Sequence, residues 1–136
     1  DEDAPDLMID MATLTGAARV ALGPDLPPFF TDDSELANDL TEASLETDDP
    51  LWRMPLYMGY DKDIRTKFAD ITNAPAGGMA GSITAALFLK RFVTKTPSWA
   101  HFDIFGWAPS ERPHSPGGGE AQGIRALYHH IRQSVR

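Results

Sequence analysis

Leu7-Met8-Ile9-Asp10-Met11-Ala12-Thr13-Leu14-Thr15-Gly16-Ala17 joins an apolar run directly to a cluster of small and hydroxylated residues. Leu7 to Thr13 reads as a buried strand, short and apolar apart from Asp10. It runs into small, hydroxylated residues and a glycine, the way open α/β sheets build the rim of a ligand crevice. Gly16 lets backbone approach a ligand with no Cβ in the way.

Outward from this rim, Arg19-Val20-Ala21-Leu22 is expected to be a second short strand, closed by Gly23-Pro24, and Phe29-Phe30-Thr31 a third. Asp32-Asp33-Ser34 supply N-cap candidates for a helix whose apolar positions are Leu36, Leu40 and Ala43, ended by Thr47-Asp48-Asp49-Pro50. Residues 51–60 form an aromatic-rich connection, followed by a short helix from about Gly59 to Lys67. The loop of residues 74–81 carries three glycines and feeds a helix from Ser82 to about Val93, apolar on nearly every side. Trp99 to Phe105 reads as a strand and Pro113 to Gly119 as a turn-rich loop. The terminal helix, residues 120–135, presents an inner stripe of Ile124, Leu127, Tyr128, Ile131 and Val135. Alternating strands and helices indicate an α/β layered sheet. Residues 1–136 make one domain, and its few strands and non-methionine start read as a piece of a larger sheet.

With 42% hydrophobic residues the chain can bury a core. Its net charge of −8 argues against a nucleic-acid surface. The charge is uneven: residues 1–50 hold 14 acids and one base, Arg19, whereas residues 51–136 hold 6 acids and 11 bases. No cysteine is present, which removes disulfides and thiolate chemistry. No stretch approaches the roughly 20 apolar residues of a membrane span. A cytoplasmic location and no membrane partner are expected.

No catalytic set is visible in residue types alone. Asp1-Glu2-Asp3 and Asp32-Asp33 are carboxylate clusters, but they sit at turns or a helix start, where acids cap N–H groups. His101 and Asp103 point to one face of their strand, yet a pair falls short of a zinc site; backbone or each other would satisfy them. His129 and His130 point in different directions and His114 lies in a loop. Ser82, Ser110 and Ser115 lack the Gly-x-Ser-x-Gly elbow, and the glycines of residues 77–84 come without the Lys or Arg of a phosphate cradle.

Four blocks resemble the leucine aminopeptidase (cytosol aminopeptidase) family, in the family's order. They are residues 10–17 continuing to Gly23; Trp52-Arg53-Met54-Pro55-Leu56 with Ala69-Asp70-Ile71-Thr72-Asn73; Ala80-Gly81-Ser82-Ile83-Thr84-Ala85-Ala86-Leu87-Phe88-Leu89; and Trp99-Ala100-His101-Phe102-Asp103-Ile104. The resemblance implies a three-layer α/β/α sandwich with a mixed sheet, of which this chain is the C-terminal portion. It also implies peptide substrates, a homo-oligomer (hexameric in the family) and two divalent ions, zinc or manganese, in the full-length enzyme. The family's metal ligands and its Asn-Thr-Asp-Ala-Glu-Gly-Arg motif lie upstream and are absent here, so no catalytic residue and no metal ligand carries over. What carries over is the substrate wall: Thr13, Leu14, Thr15 and Gly16, whose backbone holds the peptide main chain. Phe105 and Ala108 stand where the family lines the pocket for the first side chain, with ordinary core packing as the alternative for Phe105. Phe105 replaces a residue that is small in most members, and Gly117 to Gly123 depart from the family's Gly-Ala-Thr-Gly. Two functions follow: the substrate-cradling part of a metal-dependent aminopeptidase, inactive alone, or an inactive assembly module that retains the fold.

Overall fold

A computed structural model describes residues 1–113 and 115–134. His114 and Val135 therefore lie outside the described residues. Strand β1 (Leu7–Ala12) is parallel to β4 (Ser98–Asp103), β4 is antiparallel to β2 (Pro28–Phe30), and β2 is parallel to β3 (Trp52–Arg53). The sheet order is β1-β4-β2-β3, a mixed sheet with β4 and β2 interior. A short hairpin pairs β5 (Trp107–Ala108) with β6 (Gly118–Gly119).

Register sorts the side chains into two faces, since successive residues of a strand alternate. Leu7 and Ile9 share one face with Ala100, Phe102 and Phe29, beneath helices α2 (Ser34–Glu46) and α4 (Ile124–Ser134). Phe29 stacks on Phe102 at 5.7 Å, and Leu36, Leu40, Ala126 and Leu127 complete this core. The opposite face carries Asp10, Trp99, His101 and Asp103 beneath α3 (Gly81–Lys90) and α1 (Gly16–Leu22). Helices thus cover both faces of a mixed sheet, giving three layers.

Helix α2 starts where its capping residues place it. Asp33 Oδ1 accepts from the Glu35 and Leu36 amides at 2.9 and 3.1 Å. The Ser98 hydroxyl, donating to Asp33 at 2.6 Å, and these two amides hold the Asp33 carboxyl below its usual range despite its desolvation.

Three sequence expectations need correction. Arg19 to Leu22 belong to helix α1 and not to a strand. Thr15 caps this helix, its Oγ1 accepting from the Ala18 amide at 3.3 Å, and Gly23 closes it at φ 78°. A four-residue apolar run carries too little periodicity to separate the two states. The aromatic connection at residues 51–60 contains β3, and the helix after it is a 3₁₀ helix, Met58–Ile64.

The third correction concerns α4, which buries Ala126, Leu127 and His130 and leaves Ile124, Tyr128 and Ile131 exposed. Asp49 sets this rotation. Its buried carboxylate accepts from the Gly123 amide at 3.0 Å and from the Arg125 and Ala126 amides at 2.8 and 3.2 Å. A residue from the loop after α2 thereby caps the first turn of α4 and turns its small residue, Ala126, toward α2. Asp49→Ala leaves three buried or half-buried donors unpaired and is expected to cost about 2 kcal/mol. Urea unfolding checks it; a loss below about 0.5 kcal/mol contradicts the capping role.

Candidate substrate-cradling site

The site is built where β1 and β4 end side by side. Asp103 closes β4 opposite Ala12, and the next residues of the β1 strand turn across it as the loop Thr13-Leu14-Thr15. Asp103 is 2% exposed and takes four donors. Its Oδ1 accepts from the Leu14 and Thr15 amides, both at 3.0 Å; Oδ2 accepts from Thr15 Oγ1 at 2.5 Å and Ser82 Oγ at 3.2 Å. Thr15 Oγ1 donates to Asp103 and accepts from Ala18 N, so one hydroxyl links the carboxylate to the start of α1. Ser82 brings the first turn of α3 to the same carboxylate.

Two amides of the loop are therefore turned inward. Around Asp103 the residues expected to form the substrate wall separate into two groups. Leu14 and Thr15 border a cavity of about 780 Å³ between α3, the 3₁₀ helix and the glycine-rich loop, which Tyr60, Ile64, Met79 and Phe88 also line. Thr13 and Gly16 face the other way, toward Phe105. Thr13 Oγ1 donates to the Phe105 carbonyl at 3.4 Å, and the Arg19 guanidinium lies over the Phe105 ring, 4.8 Å from its centroid. Ala108 is apart from both groups, fully buried in the β5–β6 hairpin.

Gln122 organises the Phe105 side and had no signal in the sequence. Its Oε1 accepts from the Phe105 and Gly106 amides, both at 3.0 Å, while its Nε2 donates to the Pro24 carbonyl at 2.7 Å. Nor do His101 and Asp103 satisfy each other. His101, fully buried and stacked between Phe30 and Trp99, has Nδ1 2.5 Å from Asp10 Oδ1, and Trp99 Nε1 donates to Asp10 Oδ2 at 2.7 Å.

The metal ions that the family implies do not fit the residues described. Among them, no three His, Asp or Glu side chains converge as a ligand set. Three of the five clustered carboxylates have structural partners: Asp1 Oδ2 accepts from the Thr94, Lys95 and Thr96 amides, Asp32 pairs with Lys90, and Asp33 caps α2.

The wall of the large cavity is pinned by Asp61 of the 3₁₀ helix. It accepts from Arg65 Nε at 3.0 Å and Nη2 at 2.9 Å, and it pairs with Arg91 at the C-cap of α3. The Arg65 hydrogen bonds, together with Arg91, hold the Asp61 carboxyl below its usual range although burial opposes them.

Comparison with known proteins agrees with this architecture. The model of the cytosol aminopeptidase family, catalytic domain, matches residues 1–128, and the chain belongs to that family. The probable cytosol aminopeptidase of Rhizobium rhizogenes is 57% identical over 108 residues, 79% of this chain and 21% of its own length. That of Chlamydia abortus is 47% identical over 130 residues, 93% of this chain and 26% of its own. Among solved structures, the cytosol aminopeptidase of Coxiella burnetii is 52% identical with a TM-score of 0.94, covering 99% of this chain and 30% of that one. A bottromycin maturation enzyme in complex with Mn is 34% identical with a TM-score of 0.87, over 96% of this chain and 29% of that one. The chain spans about a fifth to a quarter of the length of the curated relatives it matches.

Two predictions follow from this geometry. Asp103→Ala strips four hydrogen bonds from one buried point and is expected to cost about 3 kcal/mol. Hydrogen exchange at the Leu14 and Thr15 amides reports it directly, and protection at wild-type levels contradicts the assignment. For Asp61, a carboxyl with a lowered folded-state pKa stabilises above the unfolded value of about 3.9. That contribution disappears as pH falls through the folded value. The stability difference between wild type and Asp61→Asn, about 2 kcal/mol, is therefore expected to stay constant from pH 7 to about 5 and to shrink toward pH 2. Urea midpoints across that range measure it; a difference that grows in acid contradicts the ion pairing.

Proposed function

We propose that residues 1–136 form the substrate-cradling part of a metal-dependent aminopeptidase, which releases N-terminal residues from peptides. The observation that carries this reading is the Asp103-anchored loop, a rigid length of backbone at the mouth of a cavity on the C-terminal edge of parallel strands. With the Leu14 and Thr15 amides held by Asp103, the loop's remaining main-chain groups are left to meet a peptide. Thr13, Leu14, Thr15 and Gly16 orient its main chain, and Phe105 and Ala108 bound the space for its first side chain. Ala108 acts from behind the surface, by fixing the hairpin that follows Phe105.

The two divalent ions, zinc or manganese, belong to the part of the enzyme outside these residues. A Mn complex of the bottromycin maturation enzyme supports metal dependence for the fold. The chemistry such ions supply is polarisation of the scissile carbonyl and activation of water. What this chain adds is a fixed approach for the peptide, whose rate advantage comes from orientation. The enzyme so formed is cytoplasmic, in keeping with relatives named for the cytosol, and works as a homo-oligomer. No helix among the described residues is long and apolar enough to cross a membrane.

Residues 1–136 alone are expected to show no turnover of leucine p-nitroanilide with added Mn²⁺ or Zn²⁺. The longer polypeptide that supplies the metal ligands is expected to show chelator-sensitive turnover. Activity of residues 1–136 by themselves contradicts the division of labour, and an inert longer polypeptide favours a noncatalytic assembly module. Light scattering checks association, with a monomer as the contrary result.

A further inference from the structure

Arg19 is the single base among the first 50 residues, in the company of 14 acids, and it pairs with none of them. Asp103, at the base of the loop before α1, is already occupied by the loop amides, Thr15 and Ser82. What holds Arg19 is an aromatic face, with its guanidinium carbon 4.8 Å from the Phe105 centroid. The same guanidinium covers Gly16: a Cβ built on that glycine would lie 3.7 Å from Arg19 Nη2. One half-buried cation therefore bridges two residues of the proposed substrate wall, the backbone at Gly16 and the ring at Phe105.

A guanidinium stacked on a ring keeps its N–H edge available, and that edge matches a carboxylate. A chain this acidic supplies many carboxylates that would quench a surface arginine; stacking instead fixes this one over the site. We propose that Arg19, held by Phe105, is a specificity-determining residue that favours peptides whose first side chain bears a carboxylate, glutamate or aspartate, and disfavours lysine and arginine there. This rests on the aminopeptidase reading above. Phe105 then has two effects: its bulk narrows the space for large apolar side chains, and its face orients the cation.

The test compares kcat/KM of the whole enzyme on glutamyl, leucyl and lysyl p-nitroanilides, for wild type, Arg19→Gln and Arg19→Glu. The expected result for Arg19→Gln is a fall of about tenfold in the glutamyl-to-leucyl ratio and a rise in the lysyl-to-leucyl ratio. Arg19→Glu is expected to push both changes further and make the lysyl substrate the better charged one. Ratios within one preparation are insensitive to the fraction folded, so a merely structural role lowers all three rates together and overturns the proposal. A rise for the leucyl substrate alone, with both charged ratios falling, also overturns it, because Arg19 then only obstructs the pocket. A wild-type enzyme without chelator-sensitive turnover of any of the three sinks the aminopeptidase reading itself, whereas an active enzyme with unmoved ratios sinks only the role of Arg19.

Discussion

A buried carboxylate with no cation paired to it among the described residues is an unusual choice, and at Asp103 it is the point on which the site depends. Four donors from two segments meet there: the Leu14 and Thr15 amides and the Thr15 hydroxyl from the loop after β1, and the Ser82 hydroxyl from α3. Unpaired, the charge would cost several kcal/mol in so enclosed a place. Paired, it forces the end of β1, the start of α1 and the start of α3 into one arrangement. Four hydrogen bonds converging on one rigid group fix a geometry more tightly than the same number scattered along a loop. That is the requirement for a backbone surface against which a peptide is to be aligned.

The same device recurs elsewhere in the chain. Asp49 gathers the first amides of α4, Asp33 those of α2, and Asp1 three successive amides of residues 94–96. Three of the 14 acids in the first 50 residues thus organise backbone amides. Arg19 stands out against this pattern as the cation that the acids leave alone and an aromatic ring holds.

Elements with their own local signal could be read from the sequence. The strand at Leu7–Ala12, the capped helix at Ser34–Glu46, the helix opening at Gly81 and the strand at Ser98–Asp103 each carry periodicity or a cap within a few residues. The three layers and the mixed sheet followed from the family resemblance carried by those same blocks. Elements set from a distance could not be read. Helix α1 is seven residues long and needs the Thr15 cap, itself held by Asp103 88 positions away. The rotation of α4 is decided by Asp49, 74 positions before Gly123. The turn after β1 at residues 13–15 is legible because its small residues follow a strand directly, whereas Gly16 opens helix α1. Asp103 was visible only as half of a pair with His101, and Gln122 not at all, because their roles lie in long-range hydrogen bonds that no spacing encodes.

If residues 1–136 align the peptide while another part of the enzyme holds the ions, a crystal structure of the whole enzyme with Mn²⁺ and a non-hydrolysable dipeptide analogue will show it. Analogue main-chain atoms are expected within hydrogen-bond distance of the Thr13–Gly16 backbone, with every ion ligand contributed from outside residues 1–136. An ion gripped by an aspartate, glutamate or histidine of this chain, or an analogue seated away from that loop, would contradict it.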